Sequence, residues 1–277
     1  MILSIITINY NNAPGLEKTM QSVLSQTNDN FEYVVIDGGS NDGSADVIRR
    51  YEKGFGARLT WVSERDKGIY NAMNKGIRKA QGEYLEFLNS GDCLVDDRVV
   101  EKMVDELEKR GFPSIFYGNM LKSMSDGKIL RDRCFAGSEI TLQGMYHGCL
   151  NHSPAYIKAE LFDKYGLYDE SLRICSDWKW YVSSIVLGEE KPEYVDIDVS
   201  LFDMTGISET NKDLLESERS ALLKEMIPSG ILADYDKWYS SVDMVKRLSK
   251  YPVAFKLVRF MERCLFQLEK RRNKEFV

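Results

Sequence analysis

The sequence predicts an α/β fold with a mostly parallel central sheet flanked by helices and a helical extension at the C-terminus. Apolar runs of strand length alternate with helical periodicity through residues 2–110, and short connections between them favour parallel strands joined by crossover helices. From residue 211 onward the chain is periodic as helix, with breaks at Pro228 and Pro252. A composition of 43% hydrophobic and 29% charged residues over 277 positions is typical of a globular protein with one large domain and an appendage.

The elements follow in chain order. The first half predicts four strands, each followed by a helix. Residues 113–160 contain Tyr, Phe, Thr and Ile runs broken by Gly and Ser, which predicts shorter strands of mixed direction. Ser176 to Leu187 is periodic as a helix, and 193–203 reads as a strand. The strands predicted in the first half are 2–8, 31–37, 58–63 and 83–88, and the helices are 14–26, 43–53, 69–80 and 97–110.

Composition argues against several classes of protein. Five cysteines, an odd number without a CxxC pair, favour a reducing compartment and no structural zinc. The first predicted strand begins at Ile2 without a basic leader, so we expect no secretory signal. No apolar stretch approaches the roughly 18 residues that span a bilayer. We therefore expect a cytoplasmic protein, and with a net charge of −6 we expect no nucleic-acid partner.

The C-terminal tail, residues 243–277, differs in charge from the rest of the chain. It contains ten Lys or Arg residues against four Asp or Glu, and apolar residues are interleaved with them. One interpretation is a helix that packs on the first domain or forms a homodimer contact. The other is an amphipathic helix that lies on anionic lipid at the inner face of the cytoplasmic membrane. The sequence leaves both interpretations open.

Polar residues follow three of the predicted strands at their carboxyl ends. Asn9 and Tyr10 follow the first strand, Asp37 ends the second, and Asp92 follows the fourth. Open α/β sheets bind ligands in the crevice beyond the carboxyl ends of their strands. The three strand ends therefore predict one site for a polar, metal-bound ligand, which favours an enzyme.

Four segments, in this order and spacing, resemble the family 2 glycosyltransferases, which are inverting enzymes with the GT-A fold. The resemblance covers about residues 2–210. SERDKGIYNAMNKG at 63–76 and FDMTGIS at 202–208 also resemble the branch of bacterial enzymes that build exopolysaccharide, O-antigen or capsule repeat units. The four segments are SIITINYN at 4–11, VIDGGSNDGS at 35–44, GEYLEFLNSGD at 82–92, and YDESL at 168–172 followed by SDW at 176–178.

The resemblance implies a nucleotide-diphospho-sugar transferase (GT-A) fold, with a catalytic domain over 1–210 and a helical extension over 211–277 that is a candidate for membrane association. It implies a nucleotide-diphosphate sugar as donor, a glycan or lipid-linked sugar as acceptor, and a divalent metal, Mn²⁺ or Mg²⁺, as cofactor. It further implies Asp177 as the catalytic base and Asp92 as the metal ligand. The implied nucleotide-sugar contacts are Tyr10, Asp37, Asp66, Asn74 and Ser90, and the implied acceptor-side residues are His152 and Trp178.

Three departures from the family pattern bear on function. Gly38 stands where the family often has a second Asp, which in some relatives reads the nucleotide base, so the base is left open. The metal motif is usually richer in Asp, and here NSGD at 89–92 retains only Asp92. The sequence also lacks the Gln-x-x-Arg-Trp motif and the membrane spans of processive polysaccharide synthases, which predicts a single transfer per acceptor.

An inverting transfer needs two carboxylates with different roles. One holds a cation that offsets the charge of the departing diphosphate, and the other removes the proton of the attacking hydroxyl. From the residues alone, Asp177 is more simply an N-cap or first-turn acid of a helix, whereas the resemblance favours catalysis. Simpler alternatives also stay open for the other candidates. Asp37 could close its Gly-rich turn, and Asp66 could be a solvated loop acid. Tyr10 and Trp178 could be core residues, and His152 could be a packed residue.

Two other functions compete with a sugar transferase. A sugar-1-phosphate nucleotidyltransferase has a related sheet but usually a basic, Gly-rich phosphate loop after the first strand, and the loop at 11–15 contains no basic residue. The reduced metal motif keeps open a catalytically weak, nucleotide-binding scaffold subunit of a polysaccharide assembly. Donor hydrolysis in the presence of Mn²⁺ separates that scaffold from an enzyme.

Overall fold

The computed structural model describes residues 2–124, 127–204, 206 and 210–272, with the side chains of 239–246 and 267–272 excepted. Parts of the segment 202–208 and of the tail 243–277 therefore lie outside the described residues. The chain divides into two compact units, Met1–Ser220 and Ala221–Val277. The sequence-based boundary at 210/211 marks the start of helical periodicity, whereas the units divide inside a helix that begins at Lys212.

The strands and helices of the first half agree with the predicted alternation. A π-helical stretch, Val182–Leu187, continues the helix that begins at Ser176. The strands are β1 Leu3–Asn9, β2 Phe31–Asp37, β3 Leu59–Ser63, β4 Tyr84–Phe87, β5 Cys93–Leu94, β6 Ile115–Ser123, β7 Ile129–Asp132, β8 Ala155–Lys158 and β9 Glu193–Phe202. The α-helices are α1 Ala13–Leu24, α2 Ser44–Phe55, α3 Ile69–Lys79, α4 Val99–Lys109, α5 Leu142–His147, α6 Glu160–Tyr165, α7 Ser176–Tyr181, α8 Lys212–Met226, α9 Ser229–Ser249 and α10 Pro252–Arg272.

The strands form one sheet in the order β3-β2-β1-β4-β8-β6-β9-β5, with β7 paired to β6. The first four strands are parallel to one another, as the alternation of strand and helix predicted. Beyond β4 the sheet is mixed, because β8 is antiparallel to both β4 and β6 whereas β9 is parallel to β6. The shorter strands of mixed direction expected over 113–160 are thus present.

The core explains why apolar residues point to both faces of the first two strands. β1 and β2 are covered on both faces, so residues pointing to either side are buried. On one face, Leu3 and Val35 belong to a buried cluster that includes Met20 of α1 and Met103 of α4. Removing this apolar surface from water contributes about 25 cal/mol per Å² to stability.

The strand register brings the polar ends of three strands into line. Asn9 of β1 pairs with Asp37 of β2, and Asp37 pairs with Ser63 of β3. The loop after β4 is tied to the same edge, because the Ser90 backbone N–H donates to the Ile8 carbonyl at 3.1 Å. The carboxyl ends of the parallel strands therefore form one polar edge, where open α/β sheets bind ligands.

The second unit contains the end of α8 and the helices α9 and α10, and the last two contact each other. On α10 the partly covered residues are Ala254, Phe255 and Val258, whereas Leu257 and Phe260 are exposed. Among the helices of the described residues, none has both the length and the apolar character needed to cross a membrane.

Candidate active site

Asp37 accepts hydrogen bonds from the ends of the two neighbouring strands and from its own turn. Its Oδ1 accepts from Asn9 Nδ2 at 2.7 Å and Ser40 Oγ at 2.6 Å, and its Oδ2 accepts from Ser63 Oγ at 2.5 Å and the Ser40 N–H at 3.0 Å. Burial raises the pKa of the Asp37 carboxyl, but the bonds from Ser40, Ser63 and Asn9 lower it further than burial raises it. These four hydrogen bonds occupy the acceptor sites of an ionised carboxylate. Asp37 therefore closes the Gly-rich turn, and its contact with a nucleotide stays a prediction.

Tyr10 and Asp66 lie close together beside Gly38. A Cβ added at Gly38 would lie 3.1 Å from both Tyr10 Cδ2 and Asp66 Oδ2. The Tyr10 side chain is 68% exposed, so it is not a core residue. Asp66 is paired with Lys75 at 2.6 Å and is largely covered, so it is not a freely solvated loop acid. Glycine at position 38 thus leaves an aromatic face and a carboxylate side by side at the polar edge.

Asn74 is hydrogen-bonded inside the protein, and its contact with the nucleotide sugar stays a prediction. It is buried, and its Nδ2 donates to the Tyr168 carbonyl and to Glu170 Oε1, both at 2.9 Å. Its Oδ1 accepts the Tyr168 backbone N–H at 3.0 Å. Because both donor hydrogens and the acceptor are used inside the protein, Asn74 holds the 168–170 loop against α3.

Ser90 lies in the loop after β4, where the resemblance placed a nucleotide-sugar contact. Asn12 Nδ2 donates to the Ser90 carbonyl at 3.2 Å, and Asn12 Oδ1 accepts the Gly15 N–H as the N-cap of α1. Asn12 therefore joins the loop after β1 to the loop after β4. The Ser90 side chain is half-buried at this junction, and its donor contact stays a prediction.

Asp92 is buried with one carboxylate oxygen that has no hydrogen-bond partner. Its Oδ1 accepts the Asp203 N–H at 2.7 Å, whereas Oδ2 lacks a partner among the described residues. Burial raises the pKa of the Asp92 carboxyl to about 6. Asn89, three residues earlier in the same turn, also has a buried, unpartnered Oδ1. Burying such oxygens costs free energy unless a ligand supplies the missing interaction.

These oxygens fit a hard divalent cation. Mg²⁺ and Mn²⁺ prefer oxygen ligands, and Mg²⁺ commonly takes one or two carboxylates while substrate phosphates and water complete its shell. Among the described residues there is no cluster of three or more Asp, Glu, His or Cys side chains that would form an all-protein metal site. Asp92 is therefore suited to hold a cation that a bound diphosphate shares.

Asp177 lies in the first turn of α7 and faces His152. Its Oδ1 is 3.1 Å from the Tyr70 hydroxyl and accepts the Trp178 N–H at 2.8 Å, and its Oδ2 is 3.4 Å from His152 Nδ1. The N-cap position of α7 is occupied by Cys175, so the N-cap alternative for Asp177 is wrong. The Asp177 side chain keeps 17% of its surface exposed, which leaves it accessible to a substrate.

His152 joins the two carboxylate sides of the site. Its Nε2 is 3.2 Å from Asn89 Nδ2, and its Nδ1 faces Asp177. Burial lowers the pKa of the imidazole, but the hydrogen bond and charge of Asp177 raise it more, so the net shift is upward. The structure thus places His152 between the turn of Asp92 and the carboxylate of Asp177.

Trp178 is a core residue, which corrects its prediction as an acceptor platform. It is 1% exposed, and its Nε1 donates to the carbonyls of Met145 and Gly148 at 2.8 and 3.1 Å. The Arg219 guanidinium lies 5.4 Å from the ring centroid. Trp180 is buried as well, so neither indole is available for stacking on a sugar.

Sequence reasoning missed four residues that shape this site. Asn89, Tyr70 and Asp203 lie in segments that carried the resemblance, so their position there was the available signal. Glu218 had no such signal, because it lies in a polar helix far along the chain from Asp177. Tertiary contacts alone connect it to the site.

Comparison with known proteins decides the family. The model described as "Glycosyl transferase family 2" matches residues 4–169, which include the polar strand ends, the loop at 89–92 and His152. The chain belongs to this family. A glycosyltransferase of Mycobacterium tuberculosis with no characterised activity is 32% identical over 208 residues, covering 74% of this chain and 76% of its own length. The "putative teichuronic acid biosynthesis glycosyltransferase TuaG" of Bacillus subtilis is 33% identical, covering 54% of this chain and 60% of its own length.

Solved structures support the fold of this family 2 member. The S. aureus TarS fragment 1–349 in complex with UDP-GlcNAc has a TM-score of 0.65 at 16% identity, covering 83% of this chain and 69% of that one. A mannosyltransferase from Pyrobaculum calidifontis in complex with GDP-Man and Mn²⁺ has a TM-score of 0.56 at 17% identity, covering 74% of this chain and 57% of that one. The predicted GT-A fold and the prediction of a glycosyltransferase are thereby confirmed.

Proposed function

We propose that this glycosyltransferase inverts the anomeric centre of a nucleotide-diphosphate sugar and transfers the sugar once to each glycan acceptor, in the synthesis of a bacterial cell-surface polysaccharide. The observation that carries the proposal is the pairing of two carboxylates with different environments. Asp92 is buried with an unpartnered oxygen, and Asp177 is partly open and faces His152. Two carboxylates in such different surroundings can take different roles in one reaction.

Asp177 is the proposed general base. The acceptor oxygen forms a bond to the anomeric carbon while the bond from that carbon to the diphosphate oxygen breaks, and the diphosphate leaves with the electron pair. Asp177 takes the acceptor proton through an oxygen of its carboxylate. His152 and Tyr70 hold that carboxylate in place, because they lie within 3.4 and 3.1 Å of its two oxygens.

Asp92 is the proposed protein ligand of the divalent metal, through its unpartnered Oδ2. When bound, Mn²⁺ or Mg²⁺ offsets the negative charge of the departing diphosphate. Asn89 Oδ1 is a second oxygen of the same turn that can meet the cation or one of its water ligands.

The donor nucleotide is proposed to lie on the surface formed by Tyr10, Gly38 and Asp66. The exposed Tyr10 ring offers a face for stacking on the base, and Asp66 accepts a hydrogen bond from the base or the ribose. Asp37 shapes this surface through its turn, and Ser90, which Asn12 joins to the loop after β1, is a further proposed donor contact. The fold neighbours named in complex with UDP-GlcNAc and GDP-Man favour a nucleotide-sugar donor and leave the base open.

The acceptor is proposed to be a glycan, in particular a sugar on a lipid carrier. The Bacillus subtilis relative is named for teichuronic acid biosynthesis, and a Mycobacterium tuberculosis relative at 25% identity is named for PGL/p-HBAD biosynthesis. A lipid-linked acceptor would require the enzyme to work at a membrane surface.

Helix α10 is the proposed peripheral membrane contact. At about 3.6 residues per turn, Val253, Leu257, Phe260 and Met261 fall on one side of a helix. These side chains are exposed, and Lys256, Arg259 and Arg263 lie on the flanking surface. Apolar residues bordered by positive charge suit the headgroup region of an anionic bilayer. A second copy of the chain is the alternative partner for the same exposed stripe.

One experiment tests the catalytic proposal. Thermal shifts are measured with UDP and GDP, with and without Mn²⁺, and donor hydrolysis is then followed for the UDP- or GDP-sugars of the nucleotide that stabilises the protein. A ligand that binds only the folded state stabilises it by mass action, by about 2.7 kcal/mol at 100 times its Kd. Mn²⁺-dependent binding together with hydrolysis supports the enzyme. Binding without turnover of any donor would favour the scaffold alternative.

A further inference from the structure

Glu218, on helix α8, accepts hydrogen bonds from three consecutive backbone N–H groups. Its Oε1 accepts the Arg173 N–H at 2.8 Å, and its Oε2 accepts the Ile174 and Cys175 N–H groups at 2.9 and 3.0 Å. Consecutive N–H groups that converge on one anion form a concave backbone arrangement called a nest. Here a side chain of the same compact unit fills the nest.

The nest lies directly before the helix that carries the proposed base. Helix α7 begins at Ser176, and its N-cap residue Cys175 makes no side-chain capping bond. The first N–H groups of any helix need partners from outside the helix. Glu218 satisfies the N–H of the N-cap residue Cys175 itself, and it fixes the backbone two residues before Asp177.

A second contact, through Tyr70, connects this backbone to the Asp177 carboxylate. The Ile174 carbonyl accepts the Tyr70 hydroxyl at 2.5 Å, and the same hydroxyl lies 3.1 Å from Asp177 Oδ1. A shift of Ile174 would move both the start of α7 and the hydroxyl that contacts the carboxylate. Glu218 thus constrains Asp177 along the chain and through Tyr70.

Two neighbours of Glu218 on α8 also contact the segment around Asp177. Leu215, one turn earlier on α8, provides a carbonyl 3.5 Å from Cys175 Sγ. Arg219, the next residue, lies over the Trp178 ring, which follows Asp177 in the chain. Helix α8 therefore contacts residues on both sides of Asp177.

We propose that Glu218 is a positioning residue for the general base, which rests on the proposed role of Asp177. The match to the family model ends at residue 169. The first turns of the C-terminal extension lie beyond that match and would complete the proposed active site. A misplacement of about 1 Å can cost on the order of 10²-fold in rate. Losing Glu218 should therefore slow the chemical step while leaving the donor site intact.

The test compares Glu218→Gln and Glu218→Ala with Glu216→Gln, an exposed residue on the same helix. Gln keeps one acceptor oxygen and Ala keeps none. The two variants therefore remove part or all of the hydrogen bonding to the nest. Steady-state donor hydrolysis with Mn²⁺ gives kcat and KM, thermal shift with UDP or GDP gives nucleotide binding, and hydrogen exchange reports the 173–175 amides.

We expect kcat to fall roughly 10-fold in Glu218→Gln and roughly 10²-fold in Glu218→Ala, with KM for the donor within about twofold of wild type. The 173–175 amides should exchange faster in both variants and unchanged in Glu216→Gln. If Glu218→Ala does not fold, Glu218→Gln decides the question alone. Wild-type kcat in Glu218→Gln, or a loss of nucleotide binding equal to the loss of rate, would overturn the positioning role. Inactive wild-type protein would instead refute the proposed function.

Discussion

His152 Nδ1 lies 3.4 Å from Asp177 Oδ2, while the other ring nitrogen of His152 lies 3.2 Å from the Asn89 amide. One imidazole thus spans from the turn that contains Asp92 to the first turn of α7. The two carboxylates that an inverting transfer requires come from the loop after β4 and from helix α7, and His152 precedes strand β8, which pairs with β4.

Asp177→Asn should lower turnover by roughly 10²–10⁴-fold, because the amide cannot accept the acceptor proton. Nucleotide binding should stay near wild type, since the Asp177 carboxylate contacts Tyr70, Trp178 and His152 and not the residues of the Tyr10–Gly38–Asp66 surface. Donor hydrolysis and thermal shift measure the two effects separately. Asp163→Asn, an exposed residue on α6, is the control. Near-normal turnover in Asp177→Asn would show that Asp177 is only a first-turn acid.

Asp92→Asn should abolish the part of nucleotide binding that depends on Mn²⁺, because the amide offers the cation a neutral and weaker oxygen. Titration of UDP or GDP with and without Mn²⁺ by calorimetry measures this coupling. Asp96→Asn, in the following loop and paired with Lys102, serves as the control. The assignment fails if the Mn²⁺ effect on affinity survives in Asp92→Asn.

Tyr10→Ala should weaken nucleotide affinity by about 5- to 100-fold, taking ~1–3 kcal/mol for an aromatic side chain stacked on a base. Tyr10→Phe keeps the ring and should bind nearly as well as wild type. Because the Tyr10 side chain is 68% exposed, neither substitution should change thermal stability much. Equal affinity of the Ala and Phe variants would place the base elsewhere.

Glu86 predicts a pH dependence of stability. It is fully buried, both carboxylate oxygens lack partners among the described residues, and burial raises its pKa well above the usual value. The folded state therefore keeps the proton over a pH range in which the unfolded state releases it. Stability from this group is present below the ordinary Glu pKa and declines as pH rises toward the folded pKa, by up to about 1.4 kcal/mol per pH unit.

Glu86→Gln removes this titration and keeps the shape of the side chain. Urea unfolding at pH 5.5 and pH 8 should show a smaller loss of stability with pH in Glu86→Gln than in wild type. Glu83→Gln, an exposed residue one position before β4, should behave as wild type. Parallel pH dependence in all three proteins would mean that Glu86 does not titrate differently on folding.

Helix α10 should bind anionic vesicles. Replacing the exposed Leu257 and Phe260 with Ser should reduce co-sedimentation, because apolar area drives insertion into the interface. Binding of the wild type should also weaken with salt, since the screening length is only about 10 Å at 0.1 M. Vesicles without anionic lipid are the control. No vesicle binding, together with a concentration-dependent dimer that the two substitutions disrupt, would assign the stripe to a second copy of the chain.

The sequence alone predicted most of the first half of the fold. Its four strands and four helices are local patterns of apolar periodicity, and the short connections between them favour parallel neighbours. The carboxylates Asp92 and Asp177 were selected from motifs, and the structure places His152 between the Asp177 carboxylate and the turn that contains Asp92. The mixed order of the later strands was expected only in general terms, because sequence does not specify which distant strands pair.

Side-chain surroundings were decided only by the tertiary structure. Asn74 and Trp178 belong to motifs that resemble the family, yet both are buried with their polar atoms bonded inside the protein. Glu218 carries no motif and nevertheless contacts the backbone before Asp177. The physical reason is that periodicity reports which face of an element is covered, whereas a hydrogen bond between residues far apart in the chain depends on how whole elements pack. Sequence therefore determined the fold class and the type of chemistry, and packing determined which side chains remain available to perform it.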